Sequence, residues 1–296
     1  MTSFANLKRN RNSFEKLSKA VEATSTGTAD SNSKEDTRFW QPEVDKAGNG
    51  MAVIRFLPAA AIDGDAGLPW TRTFSHGFQG PGGWFIDNCL TTLNEKCPVC
   101  EHNGGLWNSG VEANKEIARK QKRKLSYIAN IYVVSDPSNP QNEGTVRLFK
   151  FGKKIFDKIS EVMNPEFADE KAVNPFDMWE GANFKLKIRN VEGYRNYDKS
   201  EFSPVSALSA DDAKLEEIYN KEYSLVEFTE RKNFKPYEQL KARLDKVLGF
   251  EGESLPNIRA EDVELPRQHS MPKTKAPVID SGSEDLDYFK SLAEHE

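Results

Sequence analysis

The chain has 296 residues and a formal net charge of −5, with 37% hydrophobic and 29% charged residues. That length suits one large or two modest domains with a buried core, and the polarity, above that of an average enzyme, predicts solvated segments beside it. No run approaches the roughly 18–20 apolar residues of a membrane span, and the opening MTSFANLKRNRNSFEKL lacks the apolar stretch of a secretion signal, so an intracellular protein without a membrane partner is expected.

The charge is divided unevenly. Residues 1–20 hold five Lys and Arg against Glu15, whereas residues 251–296 hold eleven acids against five bases. In chain order, residues 1–36 read as a flexible basic arm and a linker rich in Ser, Thr, Gly and Asp, with nothing to bury. The core, residues 37–250, opens near DTRFWQPEVD. GMAVIRFLPA predicts a short strand closed by proline, and TRTFSHGF with GWFIDN predicts a hairpin around QGPGG. A basic helix is expected over residues 111–124. LSYIANIYVVSDPSNP is the strongest strand, rich in β-branched and aromatic residues, and GTVRLFKFG is another. KKIFDKISEVM predicts a helix with Ile155, Phe156, Ile159 and Met163 on one face. NFKLKIRNVEGY alternates like a half-buried strand with its charged face outward, and helices over ADDAKLEEIYNKEY and YEQLKARLDKVLGF close the core. Residues 251–296 sustain no period and read as an acidic, largely disordered tail. The pattern predicts a mainly β fold with helices (α+β), an OB-fold core interrupted by a cysteine-bearing insert at about residues 72–125.

All three cysteines and two of the four histidines lie within residues 76–102. His76, Cys89, Cys97 and Cys100 form a complete Cys3His set with a C-x-x-C knuckle, which predicts one structural zinc ion with no open coordination position. Such a metal would stabilise a segment offering little apolar core of its own. His102 is the alternative to His76. A thioredoxin-type dithiol at CPVC is disfavoured because that motif needs a βαβ setting and a helix starting at the first cysteine, whereas EKCPVCEHNGG runs into two glycines. A zinc deaminase is disfavoured because its H-x-E is replaced by HGF.

Bases interleave with aromatics at three places. KEIARKQKRKLSY leads into the strongest strand with Lys122, Arg123 and Lys124; FKFGKKIFDK carries Lys150, Lys153 and Lys154 beside Phe149, Phe151 and Phe156; KLKIRNVEGYRNYDK supplies Lys185, Lys187, Arg189 and Arg195 beside Tyr194 and Tyr197. This is the composition of a groove in which cations follow phosphates and aromatic faces stack on unpaired bases. Phe151 and Phe156 fit a core equally well, while Tyr194 and Tyr197 sit in a polar turn. No recognition helix, phosphate-cradling loop, nucleophile elbow or two-metal carboxylate cluster is evident, so a single strand is the expected ligand and an enzyme is not expected.

DKAGNGMAVIRFLP, the spacing from His76 to Cys100, KRKLSY, NEGTVRLFKFGKKIFDKI, WEGANFKLKI and GYRNYD together resemble the gene-32-type single-stranded DNA-binding proteins of T-even-like tailed bacteriophages, over about residues 40–250. The resemblance implies a zinc subdomain built into an OB-type core, with single-stranded DNA in the basic, aromatic-lined cleft between them. It implies an arm, here with Lys8, Arg9 and Arg11, that mediates cooperative binding to the neighbouring protomer. It also implies an acidic tail that recruits replication and recombination proteins, in the cytoplasm of an infected bacterial host. KRNRNS in the arm echoes KRKLS in the core. The chain departs from the family at Ile128, where an aromatic is usual, at Phe156, where a tryptophan is familiar, and in a less uniformly acidic tail. The expected nucleic-acid contacts are Arg55, Trp84, Lys122, Arg123, Lys124, Tyr127, Phe149, Lys150, Lys153, Lys154, Phe156, Tyr194 and Tyr197. The alternatives are an RNA-binding translational repressor, with its own or another mRNA as partner, and a thiol oxidoreductase using Cys97 and Cys100.

Overall fold

The computed structural model describes residues 36–250 apart from 65, 66 and 168; the arm with Lys8, Arg9 and Arg11 and the acidic tail lie outside the described residues. Nine strands run β1 (Phe39–Trp40), β2 (Gly50–Phe56), β3 (Trp70–Gly80), β4 (Gly83–Asn88), β5 (Lys124–Ser135), β6 (Val146–Phe151), β7 (Ala182–Val191), β8 (Tyr194–Asn196) and β9 (Glu201–Val205). Five α-helices accompany them: α1 (Pro98–Asn108), α2 (Glu112–Gln121), α3 (Lys153–Met163), α4 (Asp212–Asn220) and α5 (Tyr237–Leu248). The fold is α+β and mainly β. The pattern misses β1, β8 and β9, which are too short to show a period.

β5 is the spine, as its run of β-branched and aromatic residues predicts. One edge pairs antiparallel with β6 over Tyr127–Tyr132; the other pairs first with β3 and then with β2. β2 passes the sheet on to β7, whose far edge carries β8 and β9, while β1 adds to β6 in parallel. No pairing joins β1 to β8 or β9 among the described residues, so the sheet is not closed by hydrogen bonds there.

Alternation places Tyr127, Ala129, Ile131 and Val133 of β5 on one face, where they meet Ile54 and Phe56 of β2, Phe149 and Phe151 of β6, and Phe184 and Leu186 of β7 in the main core. The predicted stripe of α3, Ile155, Phe156, Ile159 and Met163, closes it. Each fully buried side chain of this kind contributes about 1.5–3 kcal/mol. No helix among the described residues is long and apolar enough to cross a membrane.

A second core lies under the cysteines. Phe78 and Phe85 of the β3–β4 hairpin, Leu90, Val99 and the three cysteines pack with Phe234 and with Leu240, Leu244 and Val247 of α5. The metal lobe therefore has a real core, contrary to the expectation from residues 72–125 alone, because Leu240, Leu244 and Val247 reach it from a helix more than a hundred residues downstream. The hairpin turn fits closely against the end of α5: Gly82 donates its N–H to the Val247 carbonyl at 2.8 Å, and a Cβ on Gly82 would lie 2.1 Å from the Lys246 carbonyl oxygen. Only glycine permits that approach.

Candidate metal centre and nucleic-acid cleft

His76 projects inward from β3, Cys89 follows β4, and Cys97 and Cys100 sit at the N-terminus of α1, so one hairpin and one helix end converge on a point. Their ligand atoms lie within 4.8 Å of one another and all four side chains are buried. Cys89 Sγ is 3.3 Å from Cys100 Sγ, and His76 Nε2 is 3.5 and 3.6 Å from the sulfurs of Cys100 and Cys97. A tetrahedral ion with bonds of about 2.0–2.3 Å spaces such ligands roughly 3.5–3.8 Å apart, so the donor set fits one metal ion. His76 Nδ1 lies 3.1 Å from the Gln121 carbonyl; donating there leaves Nε2 with its lone pair toward the thiols, the orientation a ligating imidazole requires. His102 stands outside the cluster with its ring beside Phe250.

Protonation in this pocket is contested. Burial alone presses His76 toward neutrality, but the Cys100 and Cys97 sulfurs outweigh it and push the imidazole up to about 10. Burial, reinforced by Cys100, holds the Cys89 thiol well above its usual range; at Cys97 burial is outweighed by hydrogen bonds from Cys100, Cys89 and His76, which bring it well below. A divalent cation is what allows three buried thiolates and a neutral imidazole to coexist.

The expected barrier to a helix at CPVC does not hold. Cys97 caps α1, and Gly104 and Gly105 lie inside it. Buried Val99, Cys100 and Asn103, the last donating to the Gln121 carbonyl at 3.0 Å, fix the helix despite its glycines. The dithiol reading is instead disfavoured by burial, since an attacking thiolate must be reachable and both sulfurs face the metal cluster.

Between the metal lobe and the sheet opens a cleft of about 1310 Å³. One wall carries Ile128, Phe149, Lys150, Arg195 and Tyr197; the other carries Asn88, Lys232, Phe234 and Lys235; Arg38 and Trp40 stand at one side. Acids share it. Arg38 reaches Asp36 at 2.7 Å and Glu227 at 2.6 Å, and Lys235 reaches the buried Asp87 at 2.5 Å. The Arg38 fork holds the Asp36 carboxyl below its ordinary range. A phosphate entering the cleft would exchange with these carboxylates, which makes any such contact sensitive to salt.

Lys150, Phe149 and Tyr197 of the expected contacts line this cleft. Lys124 shares a sheet face with Ile128, two side-chain repeats along β5. Arg123 turns the other way, stacking its guanidinium 4.4 Å over Phe74 and donating to Thr91 Oγ1. Lys122 ends α2, and Lys153 pairs with Asp157 one helical turn on, beside Lys154, at the start of α3. Trp84 and Tyr194 are exposed.

Four expected contacts are interior residues. Arg55 is fully buried in a hole made by its own partners: it donates to Asn183 Oδ1 at 3.0 Å and to the Ser206 carbonyl at 2.6 Å, and burial lowers its pKa to about 10. A Cβ on Gly181 would lie 2.6 Å from its Nη1, so VIRF and WEGANF are two halves of one packing unit. Tyr127 lies flat against Phe156, and Phe149 packs edge-on against Trp40, so their rings are committed to the core even where Phe149 borders the cleft. The alternating bases of β7 are also engaged, Lys187 with Glu201 and Arg189 with Asp198.

Arg38, Lys232 and Lys235 are cleft cations that the sequence reading passes over. ERKNFKPY has the same mixture of bases and aromatics as the expected sites, so composition alone could have flagged Lys232 and Lys235.

Comparison with known proteins follows the same geometry. The family profile described as gp32 DNA binding protein like matches residues 48–248, spanning both the sheet and the metal lobe. The single-stranded DNA-binding proteins of Enterobacteria phage T2 and Enterobacteria phage T4 are each 41% identical to this chain over 226 residues, covering 73% of it and 72% of their own length. A shorter match, also 41% identical, covers 79% of the single-stranded DNA-binding protein of Enterobacteria phage RB70. The chain belongs to the gp32-like DNA-binding protein family.

Proposed function

We propose that this chain is a non-enzymatic protein that coats single-stranded DNA with little regard to sequence, in the replication, recombination and repair of phage DNA in the infected host's cytoplasm. The observation that carries the reading is the cleft between the metal lobe and the sheet, where Lys150, Arg195 and Lys235 supply charge and Tyr197 supplies a ring. One zinc ion held by His76, Cys89, Cys97 and Cys100 is structural: with four protein ligands it polarises no substrate, and it fixes the hairpin whose Asn88 stands in one wall.

In this reading residues 37–250 bind the strand, residues 1–36 join neighbouring protomers through Lys8, Arg9 and Arg11, and residues 251–296 recruit replication and recombination proteins. Fluorescence titration with single- and double-stranded oligonucleotides at several salt concentrations tests it. Preference for the single strand, with a steep salt slope, is expected; equal affinity for duplex would overturn the reading. Competition by oligo-U separates a DNA coat from an RNA-binding repressor. Removal of residues 1–20 should spare binding to an oligonucleotide that holds one protomer and abolish cooperative filling of a long strand.

A further inference from the structure

Residues paired across an antiparallel sheet share a face. On the β3–β4 hairpin Trp84 pairs with Gln79 and Ile86 with Gly77; one repeat further, Ser75 of β3 pairs with Lys124 of β5. The same face continues to Thr73 and Ile128, which line the cleft. From Thr73 to Gln79 is six residues, about 20 Å of strand. The outer part of this face is apolar where a hairpin exposed to water is ordinarily polar: Trp84 is 50% and Ile86 42% exposed.

Gly77 lies between them and has no packing reason to be glycine. A Cβ added there would meet only Lys124 Nζ, at 3.9 Å. Glycine inside a strand weakens it, and where the fold does not require one it marks close approach by a ligand or another backbone. Gly77 thus leaves a shallow floor between a ring, an aliphatic side chain and a cation.

Resting on the reading of the cleft as a strand-binding site, we propose that this hairpin face continues the cleft outward, so that a single strand leaving it crosses Gly77 with a base against Trp84 and Ile86 and a phosphate at Lys124. The face is contiguous with the cleft, it joins a stacking surface to a charge, and a backbone can lie flat on the glycine. These features fit a nucleic acid better than a protein surface, which would favour a larger apolar area without the cation.

The test compares two oligo-dT strands, one just long enough to fill the cleft and one a few nucleotides longer, both too short for two protomers. Trp84→Ala removes the ring, and Gly77→Leu raises a side chain from the floor, its Cβ meeting only Lys124 Nζ at 3.9 Å; metal content of both variants, expected to equal that of the unmodified protein, verifies that the hairpin is intact. Wild-type binding of the short strand tests the cleft itself, independently of the extension. Both variants should keep affinity for the short strand and lose about tenfold for the longer one. Equal losses on both lengths would overturn the extension and place these residues in the cleft proper. Unchanged affinity on both lengths would overturn it also, and leave the face to a protein partner.

Discussion

The ring of Tyr127 lies flat on that of Phe156, centroids 3.9 Å apart and planes within 1°. Strand β5 and helix α3 are locked together by this pair inside the main core, with Trp70 edge-on to Phe156 at 5.6 Å. Rings held in this way stabilise the lobe that carries the cleft wall and have no face left for a base. Phe156→Ala should therefore lower stability by about 3–5 kcal/mol in denaturant unfolding. Tyr197→Ala, at the cleft and only partly buried against that core, should cost clearly less stability than Phe156→Ala and weaken binding by about 1–3 kcal/mol. A Phe156→Ala protein with native stability and weak binding would return that ring to the site.

Cleft cations and sheet cations should separate by their salt response. Lys150→Ala or Arg195→Ala is expected to reduce the log–log salt slope of single-strand binding by about 0.7 for each phosphate that is no longer neutralised. Lys187→Ala, whose ammonium answers Glu201 at 2.7 Å, should leave the slope where it was. A common response from all three would mean that the strand also crosses β7.

Replacing Cys97 with Ser removes one metal ligand and opens the second core at its centre. Metal affinity in such a site is folding free energy, so the variant should lose its metal and become protease-sensitive both within residues 72–125 and around α5, since Leu240, Leu244 and Val247 share that core. Retained stoichiometric metal under native mass spectrometry would remove Cys97 from the ligand set.

Gly181→Ala should destabilise the chain by about 1–3 kcal/mol, because the new methyl group would lie 2.1 Å from the Asp177 carbonyl oxygen and 2.6 Å from the Arg55 guanidinium. Its salt slope for DNA should match that of the unmodified protein, as Arg55 is interior. A changed slope measured by titration would put Arg55 back in contact with phosphate.

Glu222 is buried beyond α4, and both its carboxyl oxygens lack a hydrogen-bond partner among the described residues. Burial, reinforced by the charge of Asp63, holds its pKa well above the usual carboxylate range. The folded chain thus keeps a proton that the unfolded chain releases, so this group's contribution falls as pH rises above the unfolded value near 4.5 and levels off only beyond the folded pKa. Glu222→Gln should stabilise the protein at neutral pH by about 1–3 kcal/mol, with the gain vanishing in acid. Equal unfolding midpoints for the two proteins at neutral pH would show that Glu222 has a partner in solution.

The metal ligands, the hairpin, the spine strand and the amphipathic helix α3 were legible in the sequence because each is a local pattern: ligand spacing, alternation or a helical stripe written in consecutive residues. α1 was misjudged because its glycines lower local helix propensity while its support comes from Gln121 and the second core. The cleft's composition was legible too, but its membership was not. Lys150 and Tyr197 line it, whereas Tyr127 and Phe156, equally aromatic and equally close to bases in the sequence, do not.

Residue order was thus enough for the α+β class, the Cys3His set and the basic, aromatic character of the cleft. Only the packed chain shows that Arg55 is interior, that Lys187 and Arg189 are answered by carboxylates, and that α5 completes the metal lobe through approaches such as that of Gly82 to Val247. The physical reason is that side-chain type and spacing are encoded locally, whereas burial and charge pairing depend on which distant segment packs against a face.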